Sequence, residues 1–305
     1  MVHYTVVHWL FFFYIYCFLG WCFESTFVSA KSHKWVNRGF MRGPFLPLYG
    51  SGAMMMYVVS LPFQDNIVLT YIAGVIGATA LEYVTGVVME TLFKVRYWDY
   101  SSKPFNFQGH ICLRSSIAWG FLTILMTRVI HKPIERLVMS IPLNVLSYVT
   151  IAVTVYMVAD FTLSFKAALD LRDIMVKMER IKEEMVRMQR RLDVIVAFSN
   201  EEKEQKRQER EVRIGELAAG LEQRFASLKE SIQSKPSAYG ESVREEIAEL
   251  RAKYNLYMEN RSHYRDMLDF YKRDMIRNNP SMVSNKFKDA LEELKNAVSN
   301  RKDPQ

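Results

Sequence analysis

Cysteine is scarce in this sequence, and the patterns that would give it a chemical role are missing. The three cysteines, Cys17, Cys22 and Cys112, all lie in apolar stretches, and no CxxC pair or Cys/His cluster occurs. A disulfide framework and a zinc site are therefore excluded as organising features. The phosphate-binding pattern G-x-x-x-x-G-K-[ST] is also missing, so this chain does not carry an ATPase site of that type. We expect no cofactor.

Charge is scarce as well, but only in one half of the chain. Residues 1–165 hold 18 Asp, Glu, Lys and Arg residues, whereas the shorter stretch 166–305 holds 55. This division excludes a single soluble globular domain, and the periodic patterns in both halves exclude wholesale disorder. The sequence predicts an all-α protein with a transmembrane domain over residues 1–165 and a cytoplasmic helical domain over residues 166–305.

Five runs in the first half are apolar enough to be transmembrane helices, since about 20 such residues cross the hydrocarbon core of a bilayer. The second run is short and contains Gly50 and Gly52, and the third contains Glu82 and Glu90. The predicted spans are residues 6–30, 45–61, 67–93, 111–130 and 137–165.

Lysine and arginine predict the orientation of these spans. They occur in loops 31–43 and 94–110 and throughout the tail. On the other face, residues 1–5 and 62–66 contain none, and the third connection carries Lys132 and Arg136. Because cytoplasmic loops carry the excess of positive charge, we expect the N-terminus outside and the tail in the cytoplasm. A cleaved signal peptide ending at Ala30 is the disfavoured alternative, because the start lacks a positive region and the apolar run is too long.

The polar half begins with a heptad pattern. Nine apolar residues from Ala167 to Ile195 are spaced alternately four and three apart, which is typical of a coiled coil. We predict tail helices over residues 166–233, 241–279 and 285–299, separated by Pro236, Gly240 and Pro280. These helices either fold back as an antiparallel hairpin or pair between subunits, in which case the chain is a homo-oligomer.

The charge of the tail argues against nucleic acid as a partner. The tail contains 29 basic and 26 acidic residues, and they are interleaved without forming a basic stripe. Most of this charge is typical of solvated helix faces.

Ionisable residues inside the spans are candidates for function, because a charge is costly there. With the predicted orientation, Glu24, Glu90 and Arg114 reach the cytoplasmic leaflet from three different spans, and Glu82 lies nearer the middle of its span. The adjoining loops add four more candidates, which are Arg38, Arg42, Asp99 and Asn106. We call these eight residues the polar cluster.

Two interpretations of the polar cluster are open. Ion pairs such as Glu90 with Arg114, or Glu24 with Arg42, could simply hold helices together. The alternative is a ligand-binding pocket or path that opens to the cytoplasm. The Gly/Pro-rich segment 37–53 is typical of a broken or re-entrant helix that lines a cavity, or of a kinked helix entry.

Several long motifs resemble one bacterial family. They are Gly20-Trp21-x-x-Glu24, Asn37-Arg38-Gly39-Phe40-x-x-Gly43-Pro44-x-x-Pro47-x-Tyr49-Gly50, Glu82-Tyr83-x-Thr85-Gly86, Trp98-Asp99-Tyr100-Ser101 and Trp119-Gly120. Over about residues 8–160 the chain resembles the CmpB-like family of ABC-transporter type IV membrane proteins. The resemblance implies a small multi-pass protein of the bacterial cytoplasmic membrane, permease-like and dependent on a separate ATPase subunit. The tail lies outside the resemblance.

Three functions are compatible with these features. The first is a transport component of undefined substrate. The second is a membrane enzyme or lipid-handling protein in which Arg38, Arg42 and Arg114 bind an anionic head group. The third is a scaffold or sensor that acts through the tail. No nucleophile–base pair or metal-ligand motif indicates an enzyme. The long tail favours the scaffold or sensor, whereas the dense motifs around the membrane loops argue against a purely anchoring role. We place the transport component first.

Overall fold

The computed structural model describes residues 4–199, 213–234 and 240–300, and this part of the chain is all-α apart from one small hairpin. A 3₁₀ turn (Leu61–Phe63) follows α2, and a π-helical segment (Met126–Ile130) joins α4 to α5. The elements in chain order are α1 (Val6–Ser32), α2 (Pro47–Ser60), α3 (Ile67–Phe93), β1 (Asn106–Phe107), β2 (Ile111–Cys112), α4 (Leu113–Leu125), α5 (His131–Met139), α6 (Leu143–Ser199), α7 (Ile214–Ser234), α8 (Glu241–Asp266), α9 (Phe270–Asn278) and α10 (Lys288–Asn300).

The chain divides into two compact units. Unit 1 comprises Met1–Leu171 and Phe270–Asn285, and unit 2 comprises Arg172–Asp269 and Lys286–Gln305. The sequence contains no Gly or Pro between residues 143 and 199, and α6 accordingly runs without a break.

Within the described residues, four helical stretches are long and apolar enough to cross a membrane. They are Val6–Ser32, Ile67–Phe93, Leu113–Met139 and Leu143–Ile195. The predicted span 45–61 corresponds to α2, which has 14 residues and therefore a length of about 21 Å, against about 30 Å of hydrocarbon. The predicted span 111–130 begins at Leu113 and continues through the π-helical segment to Met139.

The ends of α1 and α3 follow from local chemistry. Asn66 caps α3 by accepting hydrogen bonds from the backbone N–H groups of Val68 and Leu69. His33 and Lys94 end α1 and α3 in the left-handed conformation, which terminates a helix. The predicted spans 6–30 and 67–93 begin at the same residues as α1 and α3.

The short helix α2 runs antiparallel to α1. Near its start, the Tyr49 hydroxyl donates a 2.6 Å hydrogen bond to Glu24. Near its end, the ring of Tyr57 lies 5.9 Å from that of Trp9. Gly50 allows this approach, because an added Cβ would lie inside contact distance of Cys17 and 2.8 Å from the Phe13 carbonyl oxygen.

Two ends of unit 1 can be defined from these contacts. The Tyr4 end holds the start of α1 and the end of α2, where the Tyr4 and Tyr57 rings lie 6.3 Å apart. The Phe93 end holds the last turn of α3, where the Phe93 and Phe165 rings lie 5.1 Å apart.

The heptad seam is buried along its whole length, and its first two residues, Ala167 and Leu171, belong to unit 1. All nine seam positions from Ala167 to Ile195 are buried. From Ile181 onward they form one apolar cluster with residues of α7 and α8. The Tyr254 hydroxyl of α8 also donates a 3.0 Å hydrogen bond to the Ala218 carbonyl of α7. Within the described residues of this one chain, the seam packs against α7 and α8.

The tail helices differ from the prediction in two places. The predicted helix 166–233 is described as α6 and α7, and residues 200–212 between them lie outside the described residues. The predicted helix 241–279 is interrupted after Asp266, and α9 belongs to unit 1. Leu268 at this interruption is buried, so tertiary packing overrides a sequence without Gly or Pro. Pro280 follows the end of α9, as expected.

Candidate functional site

Glu82 is the most enclosed carboxylate of the polar cluster. It lies near the middle of α3, and 6% of its surface is exposed. Ala78 and Gly86, four residues away on either side, are buried on the same face. Three neutral donors hold the Glu82 carboxylate, namely Tyr100 Oη at 3.1 Å, Ser115 Oγ at 3.3 Å and Trp119 Nε1 at 2.9 Å.

These donors reach Glu82 because the connection between α3 and α4 folds back along α3. Glu82 lies about 16 Å along the helix axis from Phe93, where α3 ends. Gln108 accepts a 3.1 Å hydrogen bond from Tyr83, and the Phe107 ring lies 5.5 Å from the Tyr83 ring. Non-helical backbone therefore runs beside α3 at a depth well inside the helix, and α4 begins there. We call residues 97–112 the folded-back loop.

Side-chain and backbone bonds give the folded-back loop a fixed shape. Asn106 donates to the carbonyl oxygens of Ser101 and Lys103 and accepts from Gly109 N. Gly109 has φ +73°, a conformation that favours glycine. A Cβ there would lie 2.5 Å from Ser101 Oγ and from Arg96 Nη1. Asn106 is thus a shape-determining residue of this loop.

A second carboxylate, Glu90, lies in an ion-pair network at the Phe93 end. Its Oε2 is 2.9 Å from Arg96 Nε and 3.1 Å from His110 Nε2. Arg96 also lies 3.4 Å from Asp99 Oδ1. His110 packs closely on α3 because Gly86 leaves it room.

The electrostatics of the loop follow from these neighbours. Burial lowers the pKa of His110, the charge of Arg96 lowers it further, and Glu90 and Asp99 oppose the change. Burial would raise the pKa of Asp99, but hydrogen bonds from Ser101 and the charge of Arg96 lower it below its usual value. Burial and the charges of Glu82 and Glu24 raise the pKa of Tyr100.

The third carboxylate of the polar cluster that we describe, Glu24, lies on α1. It accepts the hydrogen bond from Tyr49, and its Oε1 lies 3.5 Å from Arg38 Nε. Since the charge of Glu24 acts on Tyr100 as well as on Tyr49, the Glu24 and Glu82 groups share one electrostatic environment. Tyr49 donates its hydroxyl hydrogen bond to Glu24, and Tyr100 donates its own to Glu82.

The segment Phe270–Asn285 of unit 1 binds the arginines of loop 31–43; we call it the docked segment. Asn279 accepts a 2.7 Å hydrogen bond from Arg38 Nη1 and donates to the Gly39 carbonyl oxygen at 2.9 Å. Arg42 lies 3.4 Å from Asp274 and 4.1 Å from the centre of the Phe270 ring.

The docked segment also pairs with the backbone that follows α3. Val283 and Arg96 exchange backbone hydrogen bonds of 2.7 and 2.9 Å as an isolated antiparallel bridge. Ser284 donates a 2.6 Å bond to the Lys94 carbonyl oxygen. Side-chain and backbone contacts together therefore fix this segment at the Phe93 end.

The structure changes the partners that the sequence suggested. Glu90 pairs with Arg96 and His110 instead of Arg114, whose side chain is exposed. Glu24 pairs with Arg38 instead of Arg42. The folded-back loop supplies His110 to Glu90, and the docked segment pairs with Arg42 through Asp274, neither of which helix order alone predicts.

Other residues of the site were missed. Tyr49, Tyr100, Ser115, Trp119 and His110 supply most of the hydrogen bonds to the three carboxylates. Polar hydrogen-bonding groups within or beside apolar runs were the available signal. Within the described parts of the chain, no three His, Cys, Asp or Glu side chains are arranged to hold a metal ion.

Comparison with known proteins gives one match and one negative result. The sequence model of the family described as "Putative ABC-transporter type IV" matches residues 11–165. No solved structure matches the chain. The matched region contains all eight residues of the polar cluster, whereas the docked segment and unit 2 lie outside it.

Proposed function

The chain belongs to the Putative ABC-transporter type IV family, and we propose that it is the permease-like component of a transport system whose ATPase is a separate subunit. The family assignment and the apolar helices identify a transport-related membrane protein. The lack of a phosphate-binding motif in the sequence supports an ATPase on another chain.

The observation that carries this proposal is the position of Glu82 beside the folded-back loop. An ionisable group inside a span is costly and is a functional site by default. Non-helical backbone at membrane depth is tolerated where it is buried in protein or lines a water-filled cavity. Here both features occur at one place, and the loop supplies a donor to the carboxylate.

The charges favour a ligand with a positive group. Glu24 pairs with Arg38, and Glu90 pairs with Arg96. Among the described residues, Glu82 has no cationic partner, and its donors are neutral. A cationic ligand would supply the missing counter-charge. The lipid-head-group alternative is weaker, because Arg38 and Arg42 are already paired.

We place α2 as a fifth crossing of the membrane. It joins the Phe93 end to the Tyr4 end through its contacts with α1, and the 3₁₀ turn extends it. With five crossings, the Lys/Arg distribution puts the Phe93 end and the tail in the cytoplasm. Single cysteines at positions 64 and 34 test this orientation. An impermeant reagent applied to intact cells should label position 64, and labelling of position 34 would contradict the orientation.

The transport proposal is tested by isolating the partner. Affinity purification of the full chain from native membranes should recover a P-loop ATPase, whose hydrolysis is then measured in the reconstituted complex. We expect Glu82→Gln to keep the ATPase bound and to lower hydrolysis at least about tenfold, because the counter-charge for the ligand is lost. Lys34→Gln is the control, since Lys34 is exposed and lies outside the polar cluster, and it should change hydrolysis less than twofold.

The result that contradicts the transport proposal is equally specific. If purification under these conditions recovers no ATPase, or if Glu82→Gln and Lys34→Gln behave alike, the permease role of Glu82 fails.

A sensor role is a second candidate, and the docked segment favours it. Both ends of this segment connect directly to unit 2 along the chain, and the segment holds Arg38, the partner of Glu24. A signal received by the tail would therefore reach the polar cluster through Asn279. If Asn279→Ala abolishes the cell phenotype of the protein while Glu82→Gln preserves it, the sensor role replaces the transport role.

A further inference from the structure

The Tyr4 end contains a buried histidine with an unused nitrogen. His131 is 2% exposed. Its Nδ1 lies 2.6 Å from the Tyr16 hydroxyl, whereas its buried Nε2 has no hydrogen-bond partner among the described residues. An unsatisfied buried polar atom costs about 1–3 kcal/mol and calls for an explanation.

The surroundings of His131 suit a positive charge. The Tyr57 ring lies 4.1 Å from the imidazole ring, centre to centre, and the Phe12 ring lies 5.2 Å away. Aromatic faces attract cations. Glu135 lies one helical turn further along α5, on the same side of the helix. The aromatic faces and the Glu135 carboxylate would each stabilise an imidazolium, against the cost of burying its charge.

Glu135 belongs to a hydrogen-bonded chain that leads out of this enclosure. Tyr4 donates a 2.5 Å hydrogen bond to Glu135 Oε1, and its hydroxyl lies 3.3 Å from that of Tyr57. The neighbouring Lys132 and Arg136 side chains are exposed, so the end of α5 meets solvent. Glu135 is half-buried between the enclosure and that solvent.

The backbone at this point is unusual as well. The π-helical segment Met126–Ile130 immediately precedes His131. Single π turns inside α-helices occur frequently at functional sites.

We propose that His131 and Glu135 form a proton-binding site at the Tyr4 end, with Nε2 of His131 as the atom that accepts the proton. In the form ready to bind, Nδ1–H donates to the Tyr16 oxygen and Nε2 is bare. Protonation converts Nε2 to a donor and creates an imidazolium that Glu135 and the aromatic faces stabilise. The ligand is a proton from the solvent at this end.

Several elements that pack around His131 place titratable groups beside it. Tyr16 and His8 come from α1, Tyr57 from α2, and Glu135 from α5, while Tyr4 precedes α1. His8 is engaged by Thr5, whose hydroxyl lies 2.7 Å from its Nδ1. Of these two histidines, we therefore assign the proton-binding site to His131, whose Nε2 has no hydrogen-bond partner among the described residues.

The site does not depend on the proposed transport function, and its test uses no transport assay. The full chain, labelled with ¹⁵N-histidine and purified in nanodiscs, is titrated from about pH 5 to 8, where histidine changes charge. We expect the imidazole signal that is missing from His131→Gln to titrate within this range in the parent protein. His263→Gln in unit 2 is the control and should keep that signal.

Two variants sharpen the assignment. Glu135→Gln removes the carboxylate, so the midpoint should fall by at least about half a pH unit. Tyr16→Phe removes the Nδ1 partner and identifies the His131 signal by its shift if His131→Gln does not fold. An imidazole of His131 that keeps one protonation state across the range would overturn the proposal. An unchanged midpoint in Glu135→Gln would overturn the role of Glu135.

Discussion

The packing of α2 on α1 can be tested with two alanines two residues apart. Gly50 faces α1, where an added Cβ would lie inside contact distance of Cys17 Sγ, 2.8 Å from the Phe13 carbonyl oxygen and 2.9 Å from the Phe13 ring. Gly52 faces open space, with nothing within 4 Å of an added Cβ. Gly50→Ala and Gly52→Ala therefore add the same methyl group to the same helix on different faces.

The difference between the two variants isolates the helix contact. Alanine favours a helix over glycine by about 1 kcal/mol in both variants, and this contribution cancels. What is left is the cost of forcing a methyl group into a packed interface, about 1–3 kcal/mol. The clash involves the Phe13 carbonyl, which cannot rotate away as a side chain can, so we expect a value in the upper part of that range.

The measurement is reversible unfolding in mixed micelles, followed by tryptophan fluorescence. Gly52→Ala should be as stable as the parent protein or slightly more stable, and Gly50→Ala should be less stable than Gly52→Ala by the stated amount. Equal free energies of unfolding for the two variants would show that α2 does not pack on α1 through Gly50. The antiparallel arrangement that supports the fifth crossing would then be refuted.

Two further predictions follow from the ion pairs and the seam. Glu90→Gln should lower the free energy of unfolding by about 1–3 kcal/mol, because Arg96 loses its closest carboxylate. Arg114→Gln, at an exposed position, is the control. Equal melting temperatures for the two variants would contradict the pairing of Glu90 with Arg96. Replacing Ile181 and Met188 by Asp puts two charges into the buried cluster of unit 2. Circular dichroism should show the double variant losing helical signal on mild heating. Val194→Asp, at an exposed position, is the control. A double variant as stable as this control would show that the seam is misassigned.

Much of the fold could be predicted because its determinants are local. Ile67–Phe93 matches the predicted span at both ends, since hydropathy defines its body and Asn66 caps its start. The seam from Ala167 to Ile195 could be predicted because heptad spacing puts these residues on one face whatever the partner is. The choice between partners in the same chain and in another chain depends on tertiary packing, which spacing does not encode.

The site could be predicted only in part, because its geometry depends on chain segments that return from a distance. The costly carboxylates of Glu24, Glu82 and Glu90 could be identified from their apolar surroundings. Their partners could not, since hydropathy places the end of α3 and the start of α4 at the same boundary, whereas the folded-back loop carries Tyr100 to Glu82. Segment 37–53, for which the sequence left a re-entrant helix and a kinked helix entry open, is a regular helix from Pro47 onward.

The position of the docked segment also sets the order in which the protein can be completed during synthesis. Arg38 and its partner Asn279 are separated by 241 residues, which a ribosome takes roughly 10 to 50 seconds to add. The remaining apolar helices are made during that interval, and Arg38 and Arg96 lack the contacts that the docked segment supplies until its end. A message truncated before Phe270 would thus yield a complete set of apolar helices with an unfinished Phe93 end. Such products should be preferred substrates for membrane quality-control proteases.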